Sequence, residues 1–333
     1  MTTLLQALER QARGEPKAPY VGLSAVRQFY GSVQWAWPSW VPRGHVTLLA
    51  GPQGTGKSYL LAYLIAVFAG RVAAWPDGTP YQGPTGPVVL VDTEQMRGAY
   101  AERLAPLGVQ DTDAVCPSPK GEPDYEPKLP QDLRLIEEVA KDLKASAVMI
   151  DSLSGAHTLD ENSSAMRLLL QRIVGLAGSL QVPVIAVHHA RKRSQFEAVK
   201  LTLDRIRGSS AISQFCRSVV GLYRLEENNL LAPVRVEMLK ASFCKPPEPF
   251  GFTISDNGLK FHEAPEEERP MTAKDRACEF LQAELAREPQ RYTDLVKKAA
   301  EHGIAERTLY RAREVLRVVT YNGWWSLPAL QKE

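Results

Sequence analysis

The sequence predicts an α/β chain: a core built on a mostly parallel sheet, with a smaller helical unit after it. Three observations predict this. Apolar runs without polar alternation recur between helical segments, the pattern of strands buried on both faces. A glycine-rich loop, GPQGTGKS, joins the first of these runs to the first long helix. The patterning then changes after Gly208 and again near residue 270, so 333 residues are expected to hold more than one core.

Residues 1–42 read as an N-terminal arm: a short amphipathic helix and a connector containing Gly, Pro and Trp, VQWAWPSWVPRG. The core is expected over 43–262. HVTLLA is its first strand, KSYLLAYLIAVFAG its first helix and PVVLVD its second strand. A helix follows over 130–144, with Leu133, Ile136, Ala140 and Leu143 at helical spacing. AVMID is the third strand. The helix over 162–180 carries Met166, Leu169, Leu170, Ile173, Ala177 and Leu180 on one face, and VPVIAV is the fourth strand. Beyond Gly208, SVVGLYRL, LLAPVRVEML and FGFTI…GLKFH are strands joined by the turn sequences EENN and SDNG, so the sheet should end in antiparallel strands. EAPEEERP (263–270) is acidic, contains two prolines and reads as a linker. The last segment, 271–333, shows helices over 272–287, 293–302 and ERTLYRAREVL, with Leu309, Ala312, Val315 and Leu316 on one face of the third. The hairpin VVTYNGWWSL closes it, Asn322-Gly323 suiting the positive φ angles of a tight turn. Three helices and a hairpin are the parts of a winged helix-turn-helix.

Composition narrows the function classes. Hydrophobic residues make up 44% and charged residues 23%, as in ordinary globular proteins. Net charge is only +2, so any nucleic-acid surface has to be local. The four cysteines form no C-x-x-C pair, which argues against a zinc ribbon or a disulfide framework and fits a reducing compartment. MTTLLQALERQARGEPK has no signal-peptide apolar region, and the longest apolar run is too short to span a bilayer. A cytoplasmic protein without a membrane partner is expected.

The chemistry starts at the loop. Gly51, Pro52, Gln53, Gly54, Thr55, Gly56, Lys57 and Ser58 match G-x-x-x-x-G-K-[ST] completely, and Tyr59 continues into the helix. Glycines let backbone N–H groups wrap a phosphate, Lys57 reaches the β- and γ-phosphates, and the Ser58 hydroxyl ligates Mg²⁺. ATP and Mg²⁺ are the expected cofactors. Asp151, ending the third strand, suits the second metal-holding oxygen. Ser152 follows it, so an adjacent Asp-Glu pair is missing and the base must come from elsewhere. Glu94, just past the second strand, can take the proton of an attacking water; Asp92, inside the strand, is its rival. No N-K-x-D motif occurs, so guanine reading is not expected.

These blocks, in this order over about residues 40–262, resemble the RecA-like hexameric ATPases, in particular the RepA-type and DnaB-type replicative helicases. The resemblance implies a RecA-like P-loop NTPase core, Glu94 as hydrolytic base and Arg103 as the arginine of the following helix. RIRGSSAISQ before VVGLYR is similar to the family's R-x-S-x-x-I stretch, at Arg207, Ser209 and Ile212. The chain departs from the family at Arg217, where relatives often carry aspartate, and at Ser242, where a Lys-x-Arg pair keeps only Lys240. The finger reaching a neighbour's γ-phosphate is therefore Lys240 or, second, Arg207.

Histidines 188 and 189 end the fourth strand, directly before ARKRSQ. No further His or Cys stands at metal-ligand spacing. The resembling helicases place a polar γ-phosphate sensor here, and His189, last before the basic stretch, is the candidate; His188 alternates to the other face. From Ala190 to Arg217 there are seven bases and two acids. In the resembling family the loops here hold single-stranded DNA, which makes Arg191, Lys192, Arg193, Lys200 and Arg205 candidate phosphate contacts. Arg307 and Arg311 on the third C-terminal helix are candidates for duplex DNA, though the same module also docks proteins.

The leading expectation is a homo-oligomeric, hexameric ATP-dependent helicase or translocase acting on single-stranded DNA in replication. Against it stands a non-motor ATP switch: a helicase loader, replication regulator or recombination mediator. A DNA-binding regulator with a degenerate nucleotide pocket is the third alternative, and the intact Lys57, Ser58, Glu94 and Asp151 count against it.

Overall fold

The structure, a computed structural model, describes residues 21–159, 163–191, 199–206, 208, 214–226, 229–256, 258–266, 272–286 and 288–328. The chain divides into two units, Met1–Pro265 and Glu266–Glu333. In the first, α1 (Leu23–Tyr30) precedes a small antiparallel hairpin, β1 (Trp35–Trp37) and β2 (Val41–Pro42). Then follow β3 (Val46–Gly51), α2 (Lys57–Phe68), β4 (Val88–Asp92), α3 (Arg97–Leu104), β5 (Ala114–Val115), α4 (Leu133–Asp142), β6 (Ala147–Asp151), α5 (Ser164–Leu180) and β7 (Val184–His189). The unit ends with β8 (Ser218–Arg224), β9 (Val234–Ala241), β10 (Phe250–Ser255) and β11 (Gly258–Glu263).

Nine strands form one sheet in the order β11-β10-β9-β8-β3-β7-β6-β4-β5. From β8 to β5 the pairs are parallel; β9, β10 and β11 extend the sheet antiparallel, as the turn sequences predict. The unbroken apolar runs follow from burial on both faces. Leu49, Leu90, Met149 and Val187 pack with α2 and α3 on one face; Leu48, Val91, Ile150 and Ala186 pack with α4 and α5 on the other. Strand order reverses at β3, since β7 lies on one side and β8 on the other, and such a switch point leaves a crevice at the carboxyl ends of the strands. β7 separates β3 from β6, so its end is wedged between the glycine-rich loop and Asp151. The register pairs Gly51 with His189 and Asp92 with Asp151.

The expected arm is shorter than 1–42. Trp37 and Trp40 are each 1% exposed. Trp37 stacks on Trp40 at 5.0 Å and on Trp75 at 5.2 Å, and its Nε1 donates to Asp77. Indoles carry too much apolar area to remain in a solvated connector, so residues 35–42 join the core. The linker is also trimmed, because β11 runs through Glu263.

The second unit holds α6 (Ala273–Leu285), β12 (Gln290–Arg291), α7 (Tyr292–Glu301), α8 (Glu306–Val315), β13 (Val319–Tyr321) and β14 (Trp324–Ser326). Thr272 and Asp275 close a capping box at the start of α6. The strands pair antiparallel in the order β12-β14-β13. Leu281, Leu295, Leu309 and Trp325 centre the core. Asn322 and Gly323 have φ of 46° and 80°, the turn expected of that dipeptide. Val315, expected on the buried face of α8, is exposed because the helix ends there. β12, two residues long, is too short to show a pattern. Among the described residues no helix is long and apolar enough to cross a membrane.

Candidate active site

The loop between β3 and α2 is shaped by contacts that tolerate few side chains. A Cβ on Gly51 would lie 2.2 Å from the Leu222 carbonyl oxygen. Gly56 has φ +80°, and a Cβ there would press on Ile254 and Phe252. Thr55 Oγ1 donates to the Pro52 carbonyl at 2.8 Å, and Lys57 Nζ donates to the carbonyls of Gly51 and Pro52 at 3.1 and 2.8 Å. Arg224, on β8, is buried; it donates from Nη1 to the Gly54 carbonyl and from Nε to the Ala232 carbonyl. The N–H groups at a helix start such as that of α2 favour an anion. Burial lowers the pKa of Lys57 to about 8, against the pull of Asp151 and Glu94, and a phosphate beside it would favour its charged form.

Two carboxylates face this loop. Asp151 accepts from Tyr100 Oη into Oδ2 at 2.5 Å, with the Ser58 hydroxyl also in hydrogen-bond reach. Its Oδ1 is buried with no hydrogen-bond partner among the described residues. Burial raises its pKa, partly offset by the hydrogen bonds from Tyr100 and Ser58. The same burial, with Asp151 beside it, raises Tyr100 well above the usual phenol range, so it stays a donor. Glu94 Oε1 is held between Ser152 Oγ at 2.5 Å and His189 Nε2 at 3.1 Å. Burial pushes the Glu94 pKa up, but the hydrogen bonds from Ser152 and His189 and the Lys57 charge hold it below the usual value. An ionised carboxylate is acceptor only, so His189 Nε2 carries the proton.

Asp92 and Glu94 differ in burial and in their partners. Asp92 is fully buried, and its Oδ1 accepts from the Glu94 backbone N–H at 3.1 Å. It secures the turn on which Glu94 stands. Thr93 anchors the same turn, exchanging hydrogen bonds with the backbone of Ser152 through its hydroxyl.

The structure brings Gln53, Gly54, Gly56, Lys57, Ser58, Tyr59, Glu94, Asp151 and His189 around one cleft, with Gly51, Pro52 and Thr55 in the loop that forms it. Arg103 lines the cleft too, its guanidinium 4.0 Å above the Tyr59 ring. His188 is buried, with Nδ1 3.1 Å from Ser154 Oγ. Lys240 is elsewhere. It pairs with Val219 near the far end of the sheet, and its Nζ donates to the Cys216 carbonyl at 3.0 Å.

The expected basic surface is reduced. Arg205 corrects the expectation most: it is 2% exposed and donates from Nη1 to the carbonyls of Val199 and Lys200. Burial of its aliphatic stem draws the guanidinium inward, where backbone oxygens take the place of phosphates. Lys200 pairs with Glu237 at 3.2 Å, and Arg191 stands 3.9 Å from Asp204. Lys192, Arg193, Arg207, Ser209 and Ile212 lie outside the described residues. Arg307 and Arg311 are exposed one turn apart on α8.

Sequence reasoning missed Tyr100, Ser152 and Arg224 as parts of the site. Each reaches it from far along the chain, and no local spacing marks such a contact.

A family model described as an AAA domain matches residues 17–195. Among solved structures, a KaiC-like protein from the hyperthermophilic archaeon Pyrococcus horikoshii is 19% identical, over 69% of this chain and 97% of its own, with a TM-score of 0.49. The RadB recombinase is 17% identical over 66% and 91%, with a TM-score of 0.42. No curated protein matches the chain.

Proposed function

The chain belongs to the AAA domain family, and from that premise we propose that it has a RecA-like P-loop core and is a magnesium-dependent ATP hydrolase working as a hexameric ring on single-stranded DNA, a helicase or translocase of replication. The observation that carries the catalytic part is the position of Glu94, with one carboxylate oxygen fixed between Ser152 and His189. Its other oxygen is then free to orient a water and take its proton. Lys57 and the loop N–H groups would bind the phosphates. Ser58 and Asp151 fit a divalent cation, since Oδ1 of Asp151 is a buried oxygen without a hydrogen-bond partner among the described residues, and hard cations take oxygen ligands. Bound there, Mg²⁺ would neutralise charge on the β- and γ-phosphates.

His189 supports a link from nucleotide to DNA. It touches the base, and the next residue, Ala190, donates its N–H to the Gly51 carbonyl. Arg191 then donates to the Arg205 carbonyl. A change at the γ-phosphate would therefore pull directly on the segment after β7. Lys240, remote from this chain's own loop, suits a finger offered to a neighbouring subunit, with Arg207 as the other candidate. Lys192 and Arg193 would hold the DNA backbone.

Glu94→Gln should keep nucleotide binding and lower DNA-stimulated hydrolysis by about 10²–10⁴-fold. Full retained hydrolysis would refute the mechanism. His189→Ala should bind ATP but lose stimulation by DNA; unchanged stimulation would remove the link.

A second reading, the non-motor ATP switch, is favoured by the burial of Arg205 and the pairing of Lys200 and Arg191 with acids. These contacts leave less positive charge for a translocating strand. In that reading the second unit is a winged helix-turn-helix, and α8 meets duplex DNA or a protein partner through Arg307 and Arg311. Strand displacement on a forked substrate separates the two readings, and particle images with a non-hydrolysable nucleotide test the ring.

A further inference from the structure

Tyr100 lies outside every motif that marks the cleft, yet it touches the most buried carboxylate there. It stands on α3, 2% exposed, with its ring packed in the core beside α2. Phenylalanine would fill that space equally well. The hydroxyl is therefore the feature to explain, because a buried phenol O–H requires a partner. Its partner is Asp151 Oδ2, at 2.5 Å, with the Ser58 hydroxyl also in reach.

This contact makes the two oxygens of Asp151 unlike. Oδ2 is occupied by the phenol, and Oδ1 is buried with no hydrogen-bond partner among the described residues. A bare buried carboxylate oxygen is unfavourable by itself and becomes favourable once a cation takes its lone pair. Without the phenol the carboxylate could turn and satisfy either oxygen on Ser58, and neither would be reserved. The backbone on the other side of Asp151 is already fixed, since its carbonyl accepts from the Thr93 N–H.

We propose that Tyr100 is a positioning residue for the divalent cation: its hydroxyl holds Asp151 Oδ2 so that Oδ1 is the oxygen left for the metal. The inference rests on the reading of the cleft as a magnesium-nucleotide site. Partners of this kind, which orient a metal-binding carboxylate without touching the metal, typically change metal affinity by about 10–100-fold when removed.

The test uses the full chain with Tyr100→Phe, titrating Mg²⁺ against a fluorescent ADP analogue and against hydrolysis. The half-saturating Mg²⁺ concentration should rise by about 10–100-fold. Nucleotide affinity measured in EDTA should stay at the wild-type value, and excess Mg²⁺ should restore hydrolysis. Tyr100→His, which keeps a ring N–H donor, should return the metal requirement toward wild type. An unchanged Mg²⁺ requirement in Tyr100→Phe overturns the assignment. So does equal loss of nucleotide binding with and without Mg²⁺ in both variants, since that marks a packing role. A wild-type chain indifferent to Mg²⁺ overturns the reading of the cleft itself, and this assignment with it.

Discussion

Asp92 and Glu94 stand two residues apart, and burial assigns them different work. Asp92, fully enclosed, accepts from the Glu94 backbone and keeps the turn in place. Glu94, partly open to solvent, carries its carboxylate into the cleft. Asp92→Ala should leave the part-buried Glu94 N–H without its carboxylate partner and destabilise the fold by about 1–3 kcal/mol, read from the denaturant midpoint. Gly51→Ala tests the loop from below. Its Cβ would meet the Leu222 carbonyl, a backbone atom that cannot swing away, so a loss of about 1–3 kcal/mol and weaker nucleotide binding are expected. Wild-type nucleotide affinity in that variant would show that β3 and β8 can separate freely. At this scale the places of the glycine-rich loop, Glu94 and Asp151 at strand ends around one cleft were legible in the sequence, because a glycine-rich loop and a carboxylate at a strand end are local features. Ser152 and Tyr100 were not, because their partners lie 58 and 51 residues away.

Among the elements, β7 and β8 matter most because they flank β3. β7 brings His189 level with Gly51, and β8 brings Arg224 under Gly54. Arg224 also holds Ala232, so one buried guanidinium ties the phosphate loop to the turn between β8 and β9. Arg224→Met should lower nucleotide affinity about tenfold, given that hydrogen bonds from charged groups contribute about 1.5–3 kcal/mol. A fluorescent nucleotide titration checks this, and an unchanged affinity would mean that the loop holds its own shape. The β1–β2 hairpin is a second case where an element differs from its sequence reading. Its indoles look like connector residues in order along the chain, yet they complete an aromatic cluster with Trp75 and Phe250. Trp37→Ala should cost about 3–5 kcal/mol in denaturant unfolding; a value below 1 kcal/mol would place the hairpin outside the cooperative core.

Across the whole molecule, the core clusters of the two units fall on opposite sides of the Pro265–Glu266 boundary in sequence: those on the two faces of the large sheet before it and that of the second unit after it. A chain ending at Pro265 should therefore keep nucleotide binding and basal hydrolysis while losing any contact made through Arg307 and Arg311. Loss of hydrolysis in that fragment would show that the second unit completes the site. The sequence alone determined the α/β class, the alternation of strands and helices, the phosphate loop and the composition of the second unit. Those properties follow from backbone periodicity and from motifs a few residues long. Only the tertiary structure decided that β7 lies between β3 and β6, that Arg205 turns inward, that Lys200 meets Glu237, and that Tyr100 reaches Asp151. Each depends on which strands become neighbours, and strand order is fixed by the summed packing of both sheet faces rather than by any segment's own pattern.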